Sequence, residues 1–324
     1  MAFDVSALTT YVEENSVDLM TSTVLGARTM NYVEVVPNVK GDHKLPAVTN
    51  SVFFQTDSCG FDASGASTFS QRTLSPGKMK LNVEWCPKDL ETKYFAAQMK
   101  AGSHKETVEP EDVFQIILAD YMALVSREIE IAMWQGNASS GTGNNQFFNG
   151  FIAAIAAGGI DANATTIYDA SALTSVTAAA SAPEVAYRMY EAMAKNGLSG
   201  YDDSVVFVGY DTFAAVVNGL TAGGSTFGPI NNGPNGNVNP DISEGLTFPG
   251  NGLRMVPVHG LTGTSDVYGG RQSNFFVGVD GEQGGDFESM EIWYSKDERK
   301  VRMAMEFKCA TQVGVVGDVA HIIL

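Results

Sequence analysis

Residues 287–316, FESMEIWYSKDERKVRMAMEFKCATQVGVV, constrain the fold more than any other stretch of the chain. Two runs alternate apolar and polar residues on either side of the charged turn SKDERK. Side chains in a strand point to opposite faces in turn. Met290, Ile292 and Tyr294 therefore share one face, and Val301, Met303, Met305, Phe307 and Cys309 do the same on the return. The pattern predicts a β-hairpin with one buried face. None of its residues suggests catalysis.

The rest of the chain is rich enough in apolar residues to meet that face. Of 324 residues, 44% are hydrophobic, which suits two domains or one large domain with excursions. The strongest helical signal is PEDVFQIILADYMALVSREIEIAMWQG, residues 110–136. Val113, Ile116, Ile117, Leu124, Val125, Ile129, Ala132 and Met133 recur at helical spacing, Pro110 suits the first turn, Glu111 and Asp112 suit the positive end of the dipole, and Gly136 ends the run. SAPEVAYRMYEAMAKNG is a second helix, with Ser181 and Glu184 placed as a capping box and Gly197 as the stop. DDSVVFVGYDTFAAVVNGL predicts a buried strand, Val205 to Val208, and a helix capped by Asp211. Short strands are expected at LRMVPV and NFFVGV, within a Gly-, Pro- and Asn-rich stretch from 221 to 285.

The first quarter of the chain is different. Residues 1–45 open on a weak helical period (Leu8, Tyr11, Val12, Leu19) and turn extended around Pro37, offering little apolar surface, so an arm is expected. Between 46 and 87, SVFFQTDSC enters and KMKLNVEWC returns around a Gly-, Ser- and Ala-rich tip. At about 3.3 Å per residue such a hairpin would project roughly 35 to 50 Å. A two-stranded ribbon is marginal alone in water, so it lies on its own domain or on another molecule. PKDLETKYFAAQMKAG then predicts a short helix, with Pro87 near its start.

Chemistry is hard to find. His43, His104, His259 and His321 are isolated and lack a metal-like partner at i+2 or i+4. Phosphate-loop, dinucleotide and nucleophile-elbow motifs do not occur. Cys59, Cys86 and Cys309 are odd in number and match no metal or redox spacing, which fits buried thiols in a reducing compartment. The one candidate cation site is DGEQGGDFE, where Asp280, Glu282 and Asp286 could take a hard metal, although a solvated turn explains the same residues. Glu128 and Glu130 lie two apart on a helix and do not face each other, which argues against an acid/base dyad. No cofactor is expected. The start MAFDVSALTTYVEEN lacks the basic and apolar regions of a secretory signal, and no apolar run reaches the roughly 18 residues of a membrane helix, so no membrane partner is expected either. Asn137 and Asn163 sit in glycosylation-like triplets that carry no weight in that setting.

Taken in order, an arm, a projecting hairpin, a long spine helix ending in WQGNASSGTGNNQFFNGF, a mixed region around VVFVG and a terminal hairpin ending GVVGDV resemble the major capsid proteins of tailed bacteriophages. The resemblance covers nearly the whole chain and lies in architecture rather than in invariant residues. It implies an α+β, Hong Kong 97-like capsid fold. Residues 1–45 would be the N-terminal arm, 46–87 the E-loop, 88–150 the P-domain with its spine helix, 151–285 the A-domain and 286–324 the P-domain β-hairpin. It also implies a non-enzymatic subunit of an icosahedral head, built from pentamers and hexamers around double-stranded DNA held without sequence preference. The protein would reside in the virion, after assembly in the host cytoplasm with a portal and with scaffolding or decoration proteins. The E-loop would lie across a neighbour, with Phe61, Phe69, Arg72, Lys78 and Lys80 as inter-subunit contacts, and the terminal hairpin would be a mechanical element spanning the wall. Met1 leads almost directly into the arm, so either any scaffold is separate or the chain is already short, and no motif marks a cross-linking acceptor for Lys78 or Lys80.

Charge adds a hypothesis. The net charge of −17 argues against nucleic-acid binding as a main task and makes copies repel. Yet residues 72–105 hold seven basic side chains against three acidic, and residues 128–253 hold two against eleven. A basic hairpin base docking on acidic surface of adjacent copies would offset the repulsion. Two other readings stay open: an encapsulin-type shell around a cargo enzyme, and an acidic cytosolic hydrolase or metal-binding enzyme.

Overall fold

The computed structural model describes residues 27–56, 65–86, 110–157, 168–169, 182–195, 197–198, 201–221, 245–247, 253–264, 266–280 and 290–323. The readings for Leu8 to Leu19, the helix after Pro87 and the Ser181 cap lie outside them.

The terminal hairpin forms as its period requires. β11 (Met290–Ser295) pairs antiparallel with β12 (Lys300–Val313), from Met290 opposite Met305 to Ser295 opposite Lys300. Met290, Ile292, Val301, Met303, Met305, Phe307 and Cys309 are buried, and Tyr294 is half-buried. β12 is far more than a hairpin arm, however. β10 (Phe275–Val279) joins the same edge as β11 beyond residue 308, and β4 (Gly77–Trp85) covers the other edge from Val301 to Cys309. β1 (Glu34–Val36) pairs parallel with β10 and completes a five-stranded sheet.

That arrangement corrects one expectation. KMKLNVEWC is not the returning arm of the ribbon; it is β4 of the central sheet. The ribbon consists of β2 (His43–Ser51) and β3 (Ala66–Leu74), paired from His43–Leu74 to Ser51–Ala66. Alternation along 78–86 shows which residues face inward but not which strand lies alongside, and β12 offers a longer apolar face than β2 does.

The second sheet has six strands: β5 (Tyr168–Asp169), β13 (Val319–Ile323), β9 (Asp266–Arg271), β6 (Ser204–Gly209), β8 (Arg254–Val258) and β7 (Leu246–Thr247), in that spatial order. β6 is covered on both sides, which is why its sequence is continuously apolar. Val205 and Phe207 enter the core shared with the five-stranded sheet. Val206 and Val208 pack against α3 (Ala182–Lys195) and α4 (Tyr210–Thr221), through Met189, Met193, Phe213 and Val216. α3 ends as expected at Gly197, whose φ is +70°. The Gly197 N–H donates to Ala194 O at 3.0 Å and the Leu198 N–H to Met193 O at 2.8 Å, a Schellman stop. Asp211 falls inside the first turn of α4 rather than before it, and its Oδ2 accepts the Gly263 N–H at 3.1 Å.

The predicted spine is α1 (Pro110–Gln135), about 39 Å long at 1.5 Å per residue. Its buried stripe runs Leu118, Met122, Ile129, Ala132 and Met133, with Val125 half-buried. Leu124 was expected inside and is 41% exposed, because Met122, two places earlier, takes the inward position. At the end of α1, Trp134 is fully buried where the two sheets meet. Its ring centroid lies 5.0 Å from Phe207, 5.7 Å from Tyr268, 5.1 Å from Phe151 of α2 (Phe151–Ala157) and 6.4 Å from Phe275. One aromatic cluster thereby ties β6 and β9 to β10.

The loop after α1 closes tightly. Gly150 N–H donates to Gly136 O at 2.7 Å. A Cβ at Gly150 would sit 2.5 Å from Trp134 O and 2.7 Å from Gly136 N, both backbone atoms that cannot swing aside. Gly150→Ala is therefore expected to cost about 1–3 kcal/mol, read as a lower urea midpoint at unchanged slope.

Candidate functional site

The ribbon base is firmly held. Leu45 and Leu74 are buried with Val39 and Ala310. Arg72 Nη2 donates to Ala154 O at 3.0 Å, and Gln312 Nε2 donates to Thr73 O at 2.8 Å. Burial lowers the Arg72 pKa, and this inward contact gives Arg72 an internal anchoring role.

Beyond its base the β3 side of the ribbon is bare. The first six residues of β3 are all exposed, and nine paired residues extend it by about 30 Å. Phe54 is 98% exposed and Phe69 is 79% exposed, with Val52 and Phe53 also open. Large apolar groups exposed along the outer half of a ribbon and just past its last pair mark an interaction surface. Phe61 lies outside the described residues.

Lys78 and Lys80 sit on β4 rather than on the ribbon. They point outward from the sheet, opposite Lys308 and Glu306 of β12. The same outer face carries Glu84, paired with Lys300 and Arg302, and the exposed Trp293. Hydrogen bonding from Lys300 is the main cause holding the Glu84 carboxyl below its ordinary pKa.

An apolar groove of about 240 Å³ opens between β4 and α1. Met79, Leu81, Leu124, Val125, Phe147 and Phe307 line it. Leu124 and Phe147 are 41% and 40% exposed at its rim, so the groove presents hydrocarbon to whatever approaches.

Glu130 is the polar residue whose importance the sequence did not reveal. It is 1% exposed. Its Oε1 accepts the Thr29 N–H and the Thr29 hydroxyl, each at 2.8 Å, and its Oε2 accepts the His259 N–H at 3.0 Å. Thr29 Oγ1 in turn accepts the Trp134 indole N–H at 3.0 Å. A buried carboxylate needs such donors; here they join the Arg28–Tyr32 turn, α1 and the turn at His259.

Among the described residues the histidines, cysteines and candidate carboxylates do not converge. Asp280 is buried and paired with the Lys308 ammonium; Glu282 and Asp286 lie outside the described residues. Among the described residues no three His, Cys, Asp or Glu side chains gather as metal ligands, and no helix is long and apolar enough to cross a membrane. His321 is buried, with Nε2 2.8 Å from Asp266 Oδ1 and its ring stacked 4.3 Å from Tyr268. His43 and His259 are exposed, and Cys86 and Cys309 are free thiols. Burial pushes the Cys309 thiol up to about 12, so it stays protonated.

With this geometry established, comparison with solved structures is informative. A chain of the satellite phage P4 procapsid, whose structure includes the size determination (Sid) protein, matches with a TM-score of 0.54 at 13% identity, covering 95% of this chain and 98% of that one. The capsid structure of cyanophage P-SCSP1u matches with a TM-score of 0.52 at 13% identity, covering 90% and 86%. This is the tailed-phage capsid fold. A chain of Gordonia phage Cozz gives a TM-score of 0.56 at 15% identity over 92% and 86%. No protein-family model and no curated protein sequence matches the chain. The capsid fold is thus shared at identities where sequence comparison is silent, and the expectation of an α+β capsid fold holds. Among the described residues, α1 is the longest helix, and the outer part of β3, Ala66 to Gln71, is exposed.

Proposed function

We propose that this chain is a major capsid protein that assembles copy against copy into the icosahedral head of a bacteriophage. The observation that carries the reading is the ribbon: 9 residues a side, held at its base, with Phe69 79% exposed along it and Phe54 98% exposed just past its last pair. A subunit meant to work alone would fold such surface away, whereas one meant for a shell can cover it with a sister molecule. The β4–α1 groove is a fitting receptor on that sister, because it is apolar and open at the same time. Pentamers and hexamers, packaged double-stranded DNA, a portal and scaffolding or decoration proteins belong to the same proposal, as do residence in the virion and assembly in the host cytoplasm. The role is structural rather than enzymatic.

Negative-stain microscopy of the purified protein tests it. Closed, hollow particles of uniform diameter are expected. Compact monomers at every concentration tried would falsify the proposal, and particles filled with a protein cargo instead of double-stranded DNA would point to an encapsulin-type shell.

Charge supplies a second test. Lys78 and Lys80 are exposed, so Lys78→Glu with Lys80→Glu is expected to leave a folded subunit that assembles poorly. Within the subunit the change sets one new carboxylate against Glu306 and another beside Lys308, a pair of cross-strand effects of about 0.2–1 kcal/mol each and opposite sign. Light scattering during assembly, set against an unaltered circular-dichroism melt, gives the readout. Normal assembly kinetics would remove the lysines from the interface.

A further inference from the structure

A second cavity, of about 540 Å³, lies where the Arg28–Tyr32 turn, α1 and the start of α4 meet. It is unlike the apolar groove. Ala119, Met122 and Ala123 form one wall, and Arg28, Ser126, Arg127, Tyr210 and His259 supply polar groups to the rest. Arg28 Nη1 donates to Tyr210 Oη at 3.2 Å, and the Tyr210 and His259 rings stand 4.5 Å apart. Arg28 Nη2 is buried and has no hydrogen-bond partner among the described residues. Buried donors are almost always satisfied; Nη2 has almost no accessible surface, so an acceptor arriving through the cavity meets it once the Arg28 side chain turns towards the opening.

The acceptor does not come from the cavity wall. Glu130 also lines the space, but both its oxygens are committed to Thr29 and His259. Arg127 is tied to Glu128 only by an exposed contact at 3.5 Å. The cavity lining therefore carries two guanidinium groups against one carboxylate, with the Glu128 carboxylate just outside it beside Arg127.

We propose that this cleft is a binding site for a carboxylate on a short aliphatic stem. A carboxylate oxygen would accept from Arg28 Nη2, with the Ser126 and Tyr210 hydroxyls and the Arg127 guanidinium within the same polar wall. The stem would lie on Ala119, Met122 and Ala123. A guanidinium edge matches the planar, singly charged carboxylate. A phosphate dianion would bring both its charges towards Glu130 and has no apolar part for Ala119, Met122 and Ala123, whereas a dicarboxylate keeps its second charge a stem's length away. A free small dicarboxylate and an acidic side chain of a second copy share this chemistry; only the second source rests on the capsid reading. Occupancy would fasten the Arg28 turn to α1 and α4.

Glutarate is the probe. It is expected to raise the melting temperature of the isolated subunit saturably, whereas inorganic phosphate at equal ionic strength does not. Arg28→Gln is expected to abolish the effect. Arg28→Lys, which keeps the charge but loses the fork, is expected to bind at least tenfold more weakly by calorimetry; it also serves if the glutamine variant fails to fold. Glutarate binding that persists in assembled particles identifies a free carboxylate as the natural ligand. Binding to the isolated subunit that is lost on assembly identifies a neighbour's acidic side chain. No saturable glutarate effect on the folded wild-type subunit, an equal effect of phosphate, or an unchanged affinity in both Arg28 variants overturns the proposal. The overturning outcomes are all read on the isolated chain and do not depend on whether particles form in the microscopy test.

Discussion

A chain carrying Phe54→Ser and Phe69→Ser is expected to fold normally and to fail to close into particles. Both rings are largely in water in the single subunit, at 98% and 79% exposure, so its own stability should change by no more than about 0.5 kcal/mol. Assembly is different. Fully burying a phenylalanine is worth about 1.5–3 kcal/mol, so the two rings together contribute about 3–6 kcal/mol to each ribbon contact. At 1.4 kcal/mol per decade, that is about two to four powers of ten in the equilibrium constant of each contact. A closed shell repeats the contact around every subunit, and the losses compound. Sedimentation velocity of wild type and variant, beside their melting curves, separates the two effects. Particles of normal yield from the variant would show that the ribbon tip is not covered by a neighbour.

The largest loss of subunit stability is expected from Glu130→Ala. The substitution strands three donors at once: the Thr29 N–H, the Thr29 hydroxyl and the His259 N–H. An unsatisfied buried polar group costs about 1–3 kcal/mol, and the neighbouring cavity lets water reach part of the gap, so a total of about 3–5 kcal/mol is expected. Urea unfolding should show the midpoint falling at unchanged slope. Glu130→Gln should lose less, because its amide keeps one acceptor for Thr29 while turning a donor, or an empty position, towards His259. An alanine variant as stable as wild type would mean that the three donors find other acceptors without cost.

Much of the fold was legible because it depends on neighbours along the chain. The alternation from Met290 to Cys309 dictates a buried face whatever strand lies beside it, and the stripe along 110–136 dictates a helix with one side turned inward. The run Val205–Val208 is apolar at every position, which only a strand covered on both faces requires. The glycine after α3 announces its own stop. The order of these elements was enough to suggest the capsid fold, although no motif residue carries it.

Other features were not legible, and each involves residues far apart in sequence. β4 alternates equally well whether it pairs with β2 or with β12, so its partner could not be read from the pattern. Leu124 and Met122 are both apolar and two apart, and only the packing of α1 decides which turns inward. Lys78 and Lys80 followed β4 into the sheet, away from the ribbon where they were expected. The candidate interface was visible only in outline: a hairpin too thin to stand alone could be inferred, but not that Phe54 and Phe69 stand exposed on it or that Arg72 holds its base.

Local chemistry by itself therefore determined which segments become strands and helices, and which of their faces avoid water, because side-chain spacing fixes direction relative to a backbone of known period. Tertiary structure alone decided which strands adjoin, and which surface stays bare for another molecule to cover. It alone brought Glu130 to Thr29, 101 residues away, and to His259, 129 residues away. Those outcomes come from competition among distant partners for the same edges and the same burial, and a period along the chain holds no record of who wins.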